Sequence, residues 1–265
     1  MISINQFQES NIKISIITVV YNGDKYLEQA IKSVIAQLNK NVEYIIVDGG
    51  STDRTCEIIK SYDSFINTWI SEPDKGIYDA MNKGIKISSG NIIGILNADD
   101  VLNDGVIKKV LQAFQTDKSL DYVYGYVQRM TQNGVIYENE ESLSQDEMED
   151  LKFTQIPIPH GALFVKKELF EELGYYRTDF KINSDYDFIL KLIENNKLGL
   201  QLDLAISRYR DGGESSGYFT FWERRILLKK YGVSRFEREW IVSKAIVKLF
   251  ITKLLPKRFV SLLKQ

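Results

Sequence analysis

Polar side chains follow four apolar stretches of the sequence, at the points where predicted strands end. In chain order these residues are Tyr21 and Asn22, then Asp48 to Ser51, then Glu72, and finally Asn97, Asp99 and Asp100. In an open parallel sheet, ligands bind at the carboxyl ends of the strands, so we expect these groups to share one edge. Carboxylate oxygens are preferred ligands of Mg2+ and Mn2+. Asp99 and Asp100 therefore predict a divalent-metal site, unless one acid caps the next helix and the other is solvated.

The chemistry that this edge indicates is nucleotide binding without a phosphate loop. The sequence has no Gly-x-x-x-x-Gly-Lys-Ser/Thr, and no Gly-x-Gly-x-x-Gly follows the first strand. Phosphates would then need a cation to neutralise them. The alternative for "DGGST" is ordinary turn chemistry, since these residue types also dominate turns.

The elements that must position these residues alternate between strands and helices. "ISIITVV", "EYIIVD", "NTWIS" and "NIIGILN" read as strands, and amphipathic helical patterns separate them, which predicts βαβ units and a mainly parallel sheet. After Phe114 the pattern changes. "YVYGYVQRM" and "GVIYEN" predict antiparallel strands joined by the turn "TQNG". "GALFVKKELFEELG" predicts a strand and a short helix, "NSDYDFILKLIEN" a helix and "LGLQLDLAISRYR" a closing strand.

The bulk composition is that of a globular protein. The chain has 265 residues, of which 44% are hydrophobic and 26% charged. A single cysteine, no secretion signal at the start and no run of roughly 18 apolar residues predict a cytoplasmic protein.

The charge is distributed unevenly along the chain. Residues 224–265 carry 12 Lys/Arg against 2 Asp/Glu, a net +10, whereas residues 1–223 carry a net −12. This asymmetry predicts an anionic partner at one end.

Five segments carry a resemblance to a known family. "ISIITVVYNGDKYLEQAIKSVIAQ", "EYIIVDGGSTDRT", "DKGIYDAMNKGI", "GNIIGILNADD" and "SDYDFILKL" resemble, in this order, family 2 glycosyltransferases of the GT-A fold. The nearest likeness is to the bacterial branch that builds O-antigen, capsule or exopolysaccharide. The resemblance implies an α/β GT-A fold with a Rossmann-like, mainly parallel central sheet, a smaller antiparallel acceptor-side sheet and a helical C-terminal extension.

The same resemblance implies the domain boundaries. A glycosyltransferase domain would occupy residues 1–217, with a nucleotide-binding half at about 12–115 and an acceptor half at about 116–217. Residues 218–265 would form a basic, amphipathic, helical extension. Such helices bind an anionic membrane surface, or they pack on the domain or on a second subunit to give a homodimer. No motif for nucleic-acid binding is present.

Donor-binding roles follow from the resemblance. The backbone around Thr18 and Val19 would hold the nucleotide, with Tyr21 beside the base and Asn22 in the turn. Asp48 would accept the uracil imide N–H, Ser51 would support that loop, and Lys75 and Asn82 would contact base and ribose. Asn97-Ala98-Asp99 lies where the family has Asp-x-Asp, so Asn97 and Ala98 would contact the nucleotide. Asp99 would bind Mn2+ or Mg2+ directly, with Asp100 as a second ligand.

The acceptor side is implied in the same way. Asp185 lies where the family supplies the base of an inverting transfer; its alternative role is that of an acid favoured at a helix N-terminus. His160 is a candidate contact for the acceptor or a phosphate, or a structural histidine. Arg210, Ser215 and Ser216 are candidate diphosphate contacts, or part of a solvent-exposed loop.

These expectations combine into one functional prediction. The chain would be a metal-dependent inverting hexosyltransferase that moves a sugar from UDP-glucose, UDP-galactose or an N-acetylated form. The acceptor would be a polyprenyl-diphosphate-linked saccharide, reached by peripheral attachment at the inner face of a bacterial membrane. A nucleotidyltransferase of related fold and a non-catalytic nucleotide-sugar-binding protein are the alternatives.

Overall fold

In the computed structural model, residues 12–212 and 219–254 are described, and within them nine strands form one continuous sheet. The strands are β1 (Ile14–Val20), β2 (Val42–Asp48), β3 (Thr68–Ser71), β4 (Ile92–Asn97), β5 (Val101–Leu102), β6 (Tyr122–Met130), β7 (Ile136–Glu140), β8 (Leu163–Lys166) and β9 (Gly199–Arg210). The helices are α1 (Leu27–Ile35), α2 (Thr55–Ser61), α3 (Ile77–Ile87), α4 (Val106–Thr116), α5 (Gln145–Leu151), α6 (Glu168–Glu172), α7 (Ser184–Glu194), α8 (Phe219–Lys230) and α9 (Arg235–Leu254).

The first four long strands are parallel, and they bring their carboxyl ends to one edge. The order along the sheet is β3-β2-β1-β4-β8-β6-β9-β5, with β7 paired to β6. Every residue of β1 and β2 is buried, as expected for strands covered on both faces. Helix α3 approaches the sheet closely at Gly84, where a Cβ atom would lie 2.4 Å from the Ile17 side chain. The mainly parallel α/β core is confirmed.

The strands of the second half extend this sheet. Strand β8 pairs antiparallel with β4 on one side and with β6 on the other, and β9 runs parallel to β6. The predicted smaller acceptor-side sheet is therefore continuous with the central one. The hairpin predicted around "TQNG" is confirmed, since β6 and β7 pair antiparallel across it.

Helix α8 of the predicted C-terminal extension packs on the domain. Leu227 of α8 lies in a buried cluster with Tyr186 and Leu190 of α7 and with Phe180. Asp187 of α7, itself 1% exposed, accepts a hydrogen bond of 2.6 Å from Lys230 Nζ. Helix α8 therefore shares a core with the helix that carries the predicted catalytic base.

Candidate active site

The loops after β1 and β2 are joined into one unit at the carboxyl edge. Asn22 has a φ of 48°, a left-handed conformation that asparagine tolerates better than most residues. Its Oδ1 accepts the backbone N–H of Thr52 at 2.9 Å, and its own N–H donates to Ser51 Oγ at 2.7 Å. These two predicted site residues, Asn22 and Ser51, therefore fix the relative position of the two strand ends.

Tyr21 presents a flat aromatic surface above this unit. Its side chain is 65% exposed, unlike the buried strand that precedes it. A Cβ atom at Gly49 would lie 3.4 Å from the Tyr21 ring and 2.4 Å from Asp74 Oδ2, so the absence of a side chain lets Asp74 come close. The arrangement leaves the Tyr21 ring free to stack on a planar ligand.

Asp48 lies beneath the loop and organises it. Its side chain is 0% exposed, and its carboxylate accepts the Ser51 N–H at 3.0 Å and the Ser71 hydroxyl at 2.6 Å. Burial raises the pKa of Asp48, but the hydrogen bonds from Ser51 and Ser71 outweigh this and leave the pKa below its usual value. The ionised Asp48 carboxylate therefore forms hydrogen bonds within the protein. In this conformation it is not exposed to a nucleotide base.

Three other residues expected to bind nucleotide have structural roles. Thr18 and Val19 pair with β2 on one side and β4 on the other, so the sheet occupies their backbone groups. The Asn82 amide donates to Tyr176 O at 2.8 Å and accepts the Tyr176 N–H at 3.1 Å. The nucleotide contacts expected of Thr18, Val19 and Asn82 stay predictions beside these structural contacts. The Lys75 side chain, by contrast, is exposed at the rim, which leaves it available to a ligand.

The turn after β4 holds the candidate metal ligands. Asp100 is 1% exposed, and its two carboxylate oxygens accept the Arg210 N–H at 3.1 Å and the Asn97 side-chain amide at 3.3 Å. Asp99 is partly exposed, and Ala98 is buried beside Gly23. The contacts of Asp100 give it a structural role, and its expected role as a second metal ligand stays a prediction. Asp99 is the carboxylate of this turn that stays available.

A divalent cation fits this turn electrostatically. Burial raises the pKa of Asp99, and the nearby Arg210 charge offsets part of the effect. Burial and the charge of Asp99 raise the pKa of Asp100 well above its usual value. The Oδ1 atom of Asn97 is buried without a hydrogen-bond partner, which leaves a neutral oxygen next to the two acids. A cation would stabilise both negative charges and give this oxygen a partner.

The protein supplies part of a coordination shell. Residues 12–212 and 219–254 contain no group of three or more His, Cys, Asp or Glu side chains that could hold a metal ion. Mg2+ is commonly held by one or two carboxylates together with substrate phosphates and waters. Asp99 and Asn97 match this limited set, so the site fits a cation that arrives with a diphosphate.

Arg210 supports the turn after β4, which holds the candidate metal ligands. It is 3% exposed, its Nε donates to Asp99 O at 3.0 Å, and its terminal nitrogens donate to Gln132 O at 2.8 Å and to Gln29 Oε1 at 2.9 Å. Its guanidinium also lies 4.2 Å from the centre of the Tyr26 ring. These contacts give Arg210 a structural role, and its expected contact with a diphosphate stays a prediction. Ser215 and Ser216 lie outside the described residues.

A second cluster surrounds Asp185 in the first turn of α7. Its side chain is 24% exposed, and the Tyr78 hydroxyl of α3 donates to its Oδ1 at 2.8 Å. Burial, followed by the negative charge of Asp185, raises the pKa of Tyr78 well above its usual value. Tyr78 therefore stays protonated and acts as a hydrogen-bond donor to Asp185.

His160 lies on the other side of the same carboxylate. Its Nδ1 is 3.6 Å from Asp185 Oδ2, and its Nε2 is buried without a hydrogen-bond partner. A cavity of about 10 Å3 adjoins both residues, close to the room that one water molecule needs. The structure thus brings His160 and Asp185 together beside a small cavity that is otherwise lined mainly by apolar side chains.

Residues 15–174 match the family model described as Glycosyl transferase family 2, which is more than half of the 265 residues. The chain belongs to this family. Its members act on nucleotide sugars, so the chain is a glycosyltransferase that uses a nucleotide-sugar donor. The match includes the strand-end residues and His160, and it ends before Asp185.

Named relatives agree with this family, and solved structures have a similar fold. An uncharacterised glycosyltransferase of Mycobacterium tuberculosis is 29% identical over 186 residues, which are 67% of this chain and 68% of the relative. S. aureus TarS has a similar fold, with a TM-score of 0.66 at 20% identity over 88% of this chain and 42% of TarS. A mannosyltransferase from Pyrobaculum calidifontis, solved with GDP-Man and Mn2+, gives a TM-score of 0.62 at 15% identity over 95% of this chain and 78% of its own.

One contact of the candidate base was not predicted from the sequence of this glycosyltransferase. Tyr78 lies within "DKGIYDAMNKGI", which we associated with the donor, yet its hydroxyl holds Asp185, 107 positions further along the chain. A tyrosine on the apolar face of a helix was the one local signal, because a buried phenol usually has a hydrogen-bond partner. The identity of that partner depends on tertiary packing.

Proposed function

We propose that this glycosyltransferase moves a hexose from a UDP-sugar with inversion, using Asp185 as the base. The proposal rests on the difference in exposure between the two carboxylates of α7. Asp185 is 24% exposed, whereas Asp187, two residues further on, is 1% exposed and paired with Lys230. Only one of these two carboxylates can therefore reach a substrate. The Tyr78 hydroxyl donates to that carboxylate at 2.8 Å, and His160 Nδ1 lies 3.6 Å from its other oxygen. These neighbours would orient Asp185 for proton transfer from an acceptor hydroxyl.

The donor side is assigned from the strand-end residues. Tyr21 would stack on the base, Lys75 would contact the nucleotide, and Asp99 with Asn97 Oδ1 would hold Mn2+ or Mg2+. The bound metal would neutralise charge that develops on the departing diphosphate. A structure of S. aureus TarS residues 1–349 in complex with UDP-GlcNAc supports a UDP-sugar donor, with a TM-score of 0.64 at 20% identity.

The acceptor is proposed to be a saccharide linked to a polyprenyl diphosphate, in the synthesis of a bacterial surface polysaccharide. The support comes from the basic residues 224–265 and from exposed aromatic side chains on α9, among them Phe236 and Trp240. These features suit contact with an anionic membrane at its inner face. The acceptor and the enzyme would then meet at the same surface.

Turnover by an Asp185→Asn variant tests the assignment of the base. With Mn2+ and a panel of UDP-glucose, UDP-galactose and their N-acetyl forms, we expect UDP release to fall about 100-fold or more, because the amide cannot accept the proton. The affinity for UDP, measured by calorimetry, should stay close to that of the wild type. Asp150→Asn, which changes an exposed acid on α5, is the charge-matched control.

The outcomes separate the proposal from its alternatives. A non-catalytic binder would bind UDP and release none from any donor in the panel. A nucleotidyltransferase would release pyrophosphate from a nucleoside triphosphate and sugar phosphate. Wild-type rates in the Asp185→Asn variant would show that another group serves as the base.

A further inference from the structure

Glu223 of α8 is a buried carboxylate that lies outside the part of the chain matched by the family model. It is 1% exposed, and its oxygens accept the backbone N–H groups of Lys181 at 2.6 Å, Ile182 at 3.0 Å and Asn183 at 3.1 Å. The side-chain amide of Asn183 donates a fourth hydrogen bond at 3.3 Å. One carboxylate therefore satisfies three consecutive peptide groups.

These peptide groups lead directly into the helix that carries Asp185. Asn183 is the residue before α7, whose first turn contains Asp185. The N-terminus of a helix leaves backbone N–H groups without partners and carries a partial positive charge. A buried anion at this place is favourable, and it also fixes the path of the chain that enters the helix.

The same short segment is held from the opposite side. The Tyr78 hydroxyl lies within hydrogen-bond distance of both the Ile182 carbonyl and the Asp185 carboxylate, which share its one proton as acceptors. The Ile182 N–H donates to Glu223. The amide of Asn183 donates to Thr220 O of α8 at 3.1 Å. Residues 181–183 are thus held between α3 of the donor half and α8 of the C-terminal extension.

We infer that Glu223 is a positioning residue for the base, and that α8 contributes to the active site by fixing the position of Asp185. The inference rests on the proposed role of Asp185. A base must be placed within about 0.5 Å of its productive position, and an error of about 1 Å can cost roughly 100-fold in rate. Asp185 is too close to residues 181–183 to keep its place if they move. The C-terminal extension would then control the rate of transfer without touching the substrate.

A Glu223→Gln variant tests this inference. The amide group of glutamine would face backbone N–H groups with its own donors, so at least one of the hydrogen bonds is lost. We expect kcat for UDP release to fall about 10-fold or more, with the donor KM and the Kd for UDP within twofold of the wild type. Glu239→Gln is the matched control, because Glu239 of α9 is an exposed acid paired with Arg225 of α8.

A double-mutant cycle distinguishes positioning from loss of folding. If Glu223 acts through Asp185, adding Glu223→Gln to Asp185→Asn should leave the residual rate unchanged, since the base is already absent. Independent losses that multiply in the double variant would overturn the inference. So would a kcat within twofold of the wild type in the single Glu223→Gln variant.

The cycle also separates this inference from the proposed function. A fully active Asp185→Asn variant would remove the base assignment, whereas an inactive Asp185→Asn beside an unimpaired Glu223→Gln would remove only the role of Glu223.

If Glu223→Gln does not fold, as judged by circular dichroism, Glu223→Asp replaces it. The aspartate keeps the charge but is one methylene shorter, so kcat should still fall. Wild-type kcat in a folded Glu223→Asp variant would count against positioning.

Discussion

Asn97 lies where a second carboxylate would complete a metal clamp, and the structure gives a reason for the amide. Its Nδ2 donates to the buried carboxylate of Asp100, a hydrogen bond that an ionised aspartate could not make. Its Oδ1 remains without a partner at the candidate metal site. One amide can therefore stabilise Asp100 and also offer an oxygen to a cation or a ribose hydroxyl.

An Asn97→Asp variant should be less stable without metal and more dependent on it. The new carboxylate faces buried Asp100 and removes its donor, a change that costs about 1–3 kcal/mol for buried polar groups. We expect a lower Tm in EDTA and a larger rise in Tm than in the wild type when Mn2+ and UDP are added. Thermal unfolding under both conditions measures this.

The control for this change is Asn139→Asp on β7, which adds the same charge at an exposed position. Equal Tm values for wild type and Asn97→Asp in EDTA would contradict the role of the amide. An unchanged response to Mn2+ and UDP would contradict the placement of the metal.

At the scale of single residues, the sequence predicted polar groups at the strand ends and did not predict which of them are buried. Asp99 and Tyr21 are accessible, as a ligand site requires, while Asp48 and Arg210 are used by the protein itself. Arg210 donates to Gln29, 181 positions away, and no local pattern carries that information. The side-chain contacts made by polar groups depend on tertiary packing, which periodicity does not report.

At the scale of elements, hydrophobic periodicity predicted the long strands and the amphipathic helices. The two-residue strand β5 was missed because so short a run has no period, and its pairing with β9 depends on residues about 100 positions away. The continuity between the two halves was missed for the same reason. Local turn chemistry, as in "TQNG", was sufficient for a hairpin but not for the partners of β8.

The amino-terminal edge of the sheet contains a buried acid that links three elements. Glu43 of β2 is 7% exposed and accepts hydrogen bonds from the Ser15 hydroxyl of β1 and, at 2.8 Å, from the Ser89 N–H before β4. Burial raises the pKa of Glu43, but the hydrogen bonds from Ser15 and Ser89 outweigh this and hold the pKa below its usual value. The ionised form is therefore favoured by folding.

The linkage between this pKa and stability has a definite sign. Because the folded pKa is below the unfolded one, Glu43 contributes stability above an unfolded pKa of about 4.3, and this contribution is lost as the pH falls further. We expect the difference in free energy of unfolding between wild type and Glu43→Gln to shrink below about pH 4.3. Urea unfolding at pH 7, 5 and 3.5 measures it, with Glu57→Gln, an exposed glutamate of α2, as control. A constant difference would contradict the assignment.

At the scale of the whole molecule, α9 has two apolar faces. Ile241 and Val242 are buried, whereas Phe236, Trp240 and Val247 are between 54% and 83% exposed. Positions i, i+4 and i+11 share one side of a helix, so the exposed residues form one stripe. Within the described residues, none of the helices combines the length and the apolar composition that a membrane span requires.

This stripe, together with the net +10 of residues 224–265, predicts interfacial binding to anionic lipid. A Phe236→Ala/Trp240→Ala variant should bind vesicles of phosphatidylglycerol and phosphatidylcholine at least about 10-fold more weakly, because each large apolar side chain contributes about 1.5–3 kcal/mol when fully buried. Binding should also weaken with salt and be lower on pure phosphatidylcholine, since the attraction is partly electrostatic.

Cosedimentation with the vesicles measures the binding of each variant. Phe65→Ala is the control, since Phe65 is a 49% exposed aromatic residue far from α9 in sequence.

The alternative to membrane binding is that a second copy of the chain covers the exposed stripe of α9. Sedimentation velocity distinguishes the two, because a dimer that the double substitution dissociates, with vesicle binding unchanged, would assign the stripe to self-association. Membrane contact requires the opposite pattern, in which the oligomeric state is kept and vesicle binding is lost.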